Sequence, residues 1–277
     1  MKTHPLVPAD PPGVFLRTSF GEIHVVIDGD PAGPAVLCAP GVPGSTRDFR
    51  YVGPLLADRG LCCVRVDLPG FGRSADNPRF LAASRERAAL LHEVALARGH
   101  RHYAVLGHSF GGTSALACAA LHAPHVRALV LVNSVGTIRH RGLQIPHEVT
   151  GASRRLLHAP VVGERFVAFM RGAYQRGGLR SDVPLDADRL HGHLQMIGGL
   201  DFADQRVFCR SVSCPTLVVS AADDGLVEPR VSFALAAAFE NATLVTHLHV
   251  GHGGHFLQKQ EAPAIADWLA DRLRRRR

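Results

Sequence analysis

A chain of 277 residues, 46% hydrophobic and 20% charged, can bury a large core and lies far from the compositions of disordered or fibrous proteins. Its formal charge of +7 would suit an anionic partner if spread over a folded face, but four positive residues form the terminal run Arg274, Arg275, Arg276 and Arg277, which reads as a solvated end. No aromatic-interleaved basic stretch accompanies it, so nucleic-acid binding is not expected.

The N-terminal residues from Met1 to Pro5 contain no apolar signal core, and no run approaches the roughly 18 apolar residues that span a bilayer. A cytoplasmic protein without membrane contact is expected. Cys38, Cys62, Cys63, Cys118, Cys209 and Cys214 show no CxxC spacing and lie mostly inside apolar stretches, where a thiol behaves as a small hydrophobe. They are expected to be buried and free.

Taken in chain order, Phe15 to Phe20 and Ile23 to Ile27 flank Gly21-Glu22 closely enough to predict an antiparallel hairpin at a sheet edge. Ala35 to Ala39, Cys62 to Val66, Tyr103 to Leu106, Ala128 to Val132 and Thr216 to Ala221 follow as short apolar runs bounded by turn residues. Continuous, not alternating, hydrophobicity is what a strand covered on both faces requires, so each predicts a buried parallel strand. Helical patterns separate them, notably Ser84 to Arg98 and Thr113 to Leu121. Alternation of strand and helix predicts an α/β fold with a mostly parallel sheet and an N-terminal antiparallel edge.

From about Gly136 to Val207 the strand rhythm stops, and helical patterns appear over Val161 to Tyr174 and Ala187 to Ile197. The rhythm resumes at Cys214. The expected organisation is therefore one core, residues 14–135 and 208–277, interrupted by a helical cap over residues 136–207. There is no internal repeat or low-complexity segment.

Gly107-His108-Ser109-Phe110-Gly111 follows a predicted strand and precedes a predicted helix, the context that a GxSxG nucleophile elbow demands. A turn sharp enough to lift a serine hydroxyl above the sheet forces strained dihedrals, and flanking glycines remove the Cβ clashes. The helix N-terminus that follows favours developing negative charge.

On these residues the chain resembles the α/β-hydrolase superfamily, over about Ala35 to Val135 and again over about Cys214 to Leu269. In that family a strand ending in His-Gly precedes the residue whose backbone N–H forms half of the oxyanion hole. Leu37-Cys38-Ala39-Pro40-Gly41-Val42 occupies that place, with Pro40 where His is usual, so the resemblance gives this role to Val42. The second donor would be the N–H of Phe110, directly after the nucleophile. The resemblance also implies an acid three residues after the small residue that closes a late strand. Counting from Ala221 favours Asp224 over its neighbour Asp223, with Glu228 third. The base is implied on the loop after the last strand, Leu244 to Leu248, where His252 and His255 compete. Gly254-His255-Phe256, leading into the helical pattern Ala262 to Leu273, matches the family signature and favours His255. The order Ser109, Asp224, His255 is the one this fold requires. Asp67 to Ser74 looks like a loop the family often carries, and is read as structural.

Other motifs fail in context. His247, His249, His252 and His255 suggest a metal site, but no Cys or carboxylate in the segment completes a ligand set, so none is expected. Gly70 to Ala75 mimics a dinucleotide fingerprint, yet Asn77-Pro78 stands where the phosphate-binding helix should already run. Gly107 to Ser114 has a P-loop outline with Thr113 where Lys is required. His108 is read as a packing or hydrogen-bonding residue.

The expected function is hydrolysis, without cofactor, of a small, largely apolar ester or related acyl compound through an acyl-enzyme. A C–C bond hydrolase with the same triad and a slow-turnover, hydrolase-derived ligand receptor are the alternatives. Phe166, Phe169, Met170, Met196 and Phe202 either line an acyl pocket or form the core of the cap, with Phe169 and Phe202 expected in the pocket.

Overall fold

The computed structural model describes residues 10–75, 83–143, 153–176, 185–256 and 259–274. Over these residues the apolar runs pair into one eight-stranded sheet. In chain order the strands are β1 (Val14–Thr18), β2 (Gly21–Asp28), β3 (Ala35–Ala39), β4 (Cys62–Val66), β5 (Tyr103–His108), β6 (Val126–Val132), β7 (Thr216–Ala221) and β8 (Val245–Val250). Their spatial order is β1-β2-β4-β3-β5-β6-β7-β8. The pairs β1–β2 and β2–β4 are antiparallel and all others parallel, as the sequence predicts. The hairpin turn, however, falls at Ser19-Phe20, not at Gly21-Glu22. Thr18 Oγ1 donates to the Gly21 carbonyl at 2.8 Å, which closes the turn and leaves Gly21 as the first residue of β2.

Alternate residues of the buried strands feed two cores, as the two-residue strand period dictates. Leu37, Val105 and Leu131 face one side, against α2 (Ser84–Ala97) and α3 (Gly111–Leu121). Cys38, Leu106 and Val130 face the other, against α1 (Val52–Asp58) and the C-terminal helix, here α8 (Ala262–Arg274). All six cysteines are buried and unbridged. Among the described residues no helix is long and apolar enough to cross a membrane.

Between β6 and β7 lie α4 (Val162–Arg176), α5 (Ala187–Gly198) and α6 (Phe202–Ser211), and α7 (Pro229–Ala237) follows β7. Leu157, Val167, Leu185, Leu190 and Leu194 form a small separate core, backed by Phe166 and Met170, so α4 and α5 hold each other. The boundary expected at 207/208 falls inside α6. Asp201 starts this helix by accepting from the Ala203 and Asp204 amides at 2.7 and 3.4 Å, and its Phe208 and Cys209 join the main core. The helical layer of the core thus resumes at α6, before β7.

Asp67, directly after β4, fixes two loops at the top of the sheet. Its Oδ1 accepts from the Thr46 amide at 2.6 Å, and its Oδ2 accepts from the Arg73 amide at 2.9 Å and from His24 Nδ1 at 2.7 Å. Gly72 lies against this carboxylate with φ +56°, where any Cβ would overlap it. Thr46 belongs to the segment that leaves β3 through Gly41 and Val42, so Asp67 tethers that segment too. Asp67→Ala would leave buried donors without an acceptor and should cost about 2–4 kcal/mol, a fall in Tm of roughly 5–15 °C in a melting experiment. A Tm within a degree or two of wild type would show that the loops are anchored elsewhere.

Candidate active site

β5 ends at His108 and α3 begins at Gly111, so the chain reverses within two residues. Ser109 sits at the apex with φ +52°, a left-handed conformation that costs a non-glycine residue of order 1 kcal/mol or more. Three backbone bonds hold it there. Its N–H donates to the Val132 carbonyl at 3.0 Å, and its carbonyl accepts from Val135 at 3.0 Å and Gly112 at 3.1 Å. The flanking glycines act by close approach. A Cβ on Gly107 would stand 2.6 Å from the Gly111 oxygen and the Gly112 Cα, and one on Gly111 would overlap the Ala39 and Pro40 carbonyl oxygens. The elbow therefore packs directly against the end of β3, and Gly41 passes so near that its Cβ would be 3.1 Å from that of Ser109. That contact brings Val42 to the serine.

Asp224 follows β7 and is buried. Its Oδ1 accepts from the Leu226 and Val227 amides at 2.8 and 2.9 Å, and its Oδ2 accepts from His255 Nδ1 at 2.9 Å. Burial alone would raise its pKa; the nearby imidazole and the two amides outweigh that and hold the carboxyl below its ordinary value. Asp223 points elsewhere. It accepts from the Gly254 and Gly253 amides at 2.7 and 3.3 Å, and these bonds, Gly254 first, lower its pKa too. It anchors the loop that carries His255. His252 is 94% exposed, turned away to solvent 3.9 Å from Asp223, and Glu228 accepts from the Arg141 amide at 2.9 Å on the surface.

The His255 loop is also held from inside. Its carbonyl accepts from Asn133 Nδ2 and from His108 Nε2, each at 2.9 Å, and Asn133 Nδ2 reaches the Gly254 carbonyl at 2.8 Å. His108 is thus a buried hydrogen-bonding residue. Nothing in the sequence pattern singled out Asn133, which simply follows an apolar strand.

Ser109, His255, Val42 and Phe110 line one cavity of about 60 Å³, with Asp224 behind His255. The helices between β6 and β7 contribute Tyr174 and His193, to which no sequence motif points. Tyr174 Oη and His193 Nε2 are 2.6 Å apart. Burial pulls the His193 pKa down to about 4 against the opposing Val42 backbone, so the ring is neutral at pH 7. Phe169 and Phe202 do not line the cavity. Phe169 is 63% exposed, because the inward stripe of α4 runs through Phe166, Met170 and Tyr174 and leaves it outside. Phe202 opens α6 and packs against the main core. On the far edge of the sheet, His247 and His249 share the Ser220 hydroxyl, each at 2.9 Å; among the described residues no cluster of three or more His, Cys, Asp or Glu is placed to hold a metal ion.

The sequence profile described as the alpha/beta hydrolase fold matches residues 34–262. The chain belongs to that family. This α/β hydrolase is 27% identical over 266 residues to the sn-1-specific diacylglycerol lipase ABHD11 of Mus musculus, covering 88% of this chain and 84% of the relative. It is 29% identical over 255 residues to polyketide synthase ThaQ of Burkholderia thailandensis, a match that takes in 87% of this chain but only 12% of that far longer protein. The enol-lactonase of Burkholderia xenovorans LB400 superposes with a TM-score of 0.74 at 17% identity, over 94% of this chain and 100% of that one, which speaks for the fold.

The two neighbouring acids should separate on mutation. Asp224→Asn would present the wrong group to His255 Nδ1 and should lower kcat by on the order of 10⁴. Asp223→Asn keeps an acceptor for the Gly254 amide and should stay within about tenfold of wild type. Steady-state kinetics decide between them, and the reverse ranking would transfer the role to Asp223.

Proposed function

We propose that this hydrolase cleaves a small, largely apolar ester or related acyl compound through an acyl-enzyme on Ser109, with His255 as general base and Asp224 as the group that orients it. The observation that carries the reading is the 2.9 Å contact of His255 Nδ1 with a buried carboxylate, beside a serine strained into the wall of the same cavity. Donation from Nδ1 to Asp224 leaves Nε2 as the basic nitrogen. A serine hydroxyl is a poor nucleophile at its own pKa, so its proton passes to His255 as the oxygen attacks the carbonyl carbon. Asp224, kept ionised by its two amide bonds and the imidazole, stabilises the imidazolium that results.

The negative charge of the tetrahedral intermediate falls on the carbonyl oxygen, and the Val42 and Phe110 amides are its proposed donors. Each such donor supplies about 3 kcal/mol of transition-state stabilisation in a dry pocket. His255 then gives its proton to the leaving group, and water repeats the cycle on the acyl-enzyme. The described lining contains no Lys or Arg, and with about 60 Å³ the cavity favours a short, uncharged acyl group.

Ser109→Ala should lower kcat on p-nitrophenyl esters by about 10⁴ to 10⁶ and abolish labelling by a fluorophosphonate, while substrate binding survives. A label that still attached to the mutant, or activity within about tenfold of wild type, would sink the assignment. Multiple-turnover kinetics of the wild type also test the receptor alternative, which would release one equivalent of product and stall.

A further inference from the structure

Arg87 lies wholly inside the helical layer beneath the elbow, with no exposed surface. A guanidinium in such a place is strongly disfavoured unless its donors are used, and the partners it uses are informative. Its Nε donates to Ser114 Oγ at 2.8 Å, and its Nη2 donates to Thr113 Oγ1 at 3.0 Å and Ser84 Oγ at 3.2 Å. The Thr113 hydroxyl in turn donates to the Phe110 carbonyl at 2.8 Å. The guanidinium carbon also lies 5.0 Å from the centroid of the Phe110 ring. These contacts converge on the first turn of α3, and two of them, the ring contact and the bond relayed by Thr113, reach the residue that follows Ser109.

We infer that Arg87 is a positioning residue for the oxyanion hole: it holds Phe110 from behind, by its ring and through Thr113 by its carbonyl, so that the Phe110 amide points at the forming oxyanion. The inference rests on the serine-hydrolase reading of the same site. The Phe110 ring and the Phe110–Gly111 peptide are held together in this way, which restrains the Phe110 Cα and with it the Ser109–Phe110 peptide that carries the amide. The rest of the first turn is tied through Ser114 to the same side chain, whose planar fork bonds several acceptors in one fixed geometry. Ser84, on α2 like Arg87 itself, extends the grip to α6, because it also accepts from Gln205 Nε2 at 3.0 Å. Burial draws the Arg87 pKa down to about 9, with Glu86 opposing, so the side chain keeps its charge at neutral pH. That charge adds to the positive end of α3, on the side where the oxyanion forms.

A residue that aims an oxyanion donor acts only when the oxyanion exists, so its loss should lower kcat and leave KM nearly unchanged. The experiment compares wild type with Arg87→Met, Arg87→Lys and Thr113→Val on a p-nitrophenyl ester, with active sites titrated by a fluorophosphonate. An alkyl boronic acid, which forms a tetrahedral anion on a serine, serves as the transition-state probe. Arg87→Met should lose about 10- to 100-fold in kcat per titrated site, below the 10²- to 10³-fold typical of deleting a donor outright. Its affinity for the boronic acid should fall in parallel. Arg87→Lys should recover part of both, and Thr113→Val should show a smaller loss of the same kind even if Arg87→Met does not fold. Should kcat per titrated site and boronic-acid affinity stay at wild-type levels while only Tm falls, Arg87 is a packing residue and the inference is overturned. If the fluorophosphonate and the boronic acid fail on the wild-type protein itself, the serine-hydrolase reading falls, and this one with it.

Discussion

Asn133 is where the separate strands become one site. It leaves β6 in a left-handed conformation, φ +41°, and is almost fully buried. Its Nδ2 holds the carbonyls of Gly254 and His255, while its Oδ1 accepts from the Ala221 amide at 3.2 Å, at the end of the strand that leads to Asp224. Only a side chain that both donates and accepts can make these bonds. Aspartate offers no donor and leucine neither function, so the position is chemically narrow. The same strand end also fixes the serine, through the Val132 carbonyl and the Val135 amide. Residues far apart in sequence thus take their mutual geometry from β6, which lies inside the sheet between β5 and β7 and is covered on both faces. A rigid interior is the right support for such a constellation, because loops alone would not hold it to within fractions of an ångström.

Around that frame, unfavourable local terms are offset by hydrogen bonds placed opposite them. The positive φ of Ser109 is stabilised by backbone bonds to β6 and α3. The buried charge of Asp224 is matched by the imidazole and two amides. The loop after β3, which carries the proposed Val42 donor, is closed by Gly44 N–H to the Gly41 carbonyl and Asp48 N–H to the Ser45 carbonyl, each at 2.9 Å, and it takes further order from Asp67 through Thr46. The Val42–Pro43 peptide bond within it is cis. Gly111 packs against the Pro40 carbonyl, so the backbone at Pro40 forms part of the seat of the elbow.

Much of the fold was legible because burial on both faces writes itself into the sequence. Ala35–Ala39, Cys62–Val66 and Thr216–Ala221 have the bounds that their unbroken apolar runs predict. Short helices escaped notice: α1 spans only seven residues and includes Gly53 and Pro54, so neither periodicity nor propensity marks it. The hairpin turn differs from the expected one because Gly21, which reads as a turn residue, is the first residue of β2, with φ +105°. In sequence α6 looks like the helices before it, and only its packing shows that Phe208 and Cys209 join the main core. For the candidate site, the elbow motif points to Ser109 and the family resemblance to Asp224 and His255, and the structure places Asp224 against His255 and puts His255 and Ser109 on the wall of one cavity. Asn133, Tyr174 and His193 could not be named in this way, because each acquires its meaning from a partner remote in sequence.

The cap shows the same limit from the other side. On α4 the inward stripe and its flank both carry phenylalanine, Phe166 and Phe169, and a helical pattern cannot tell which will meet a partner until α5 is docked. Once Leu190 and Leu194 of α5 meet Val167 of α4, the rotation of both helices is set. Tyr174 and His193 then fall on the wall of the cavity, and Phe169 falls in solvent. The polar pair is therefore a consequence of leucine packing. Its 2.6 Å contact adds a specific register to an interface that apolar side chains alone would leave free to slide. The neutral imidazole sits beside the Val42 backbone, so the helices between β6 and β7 meet the loop proposed to hold the oxyanion at this point.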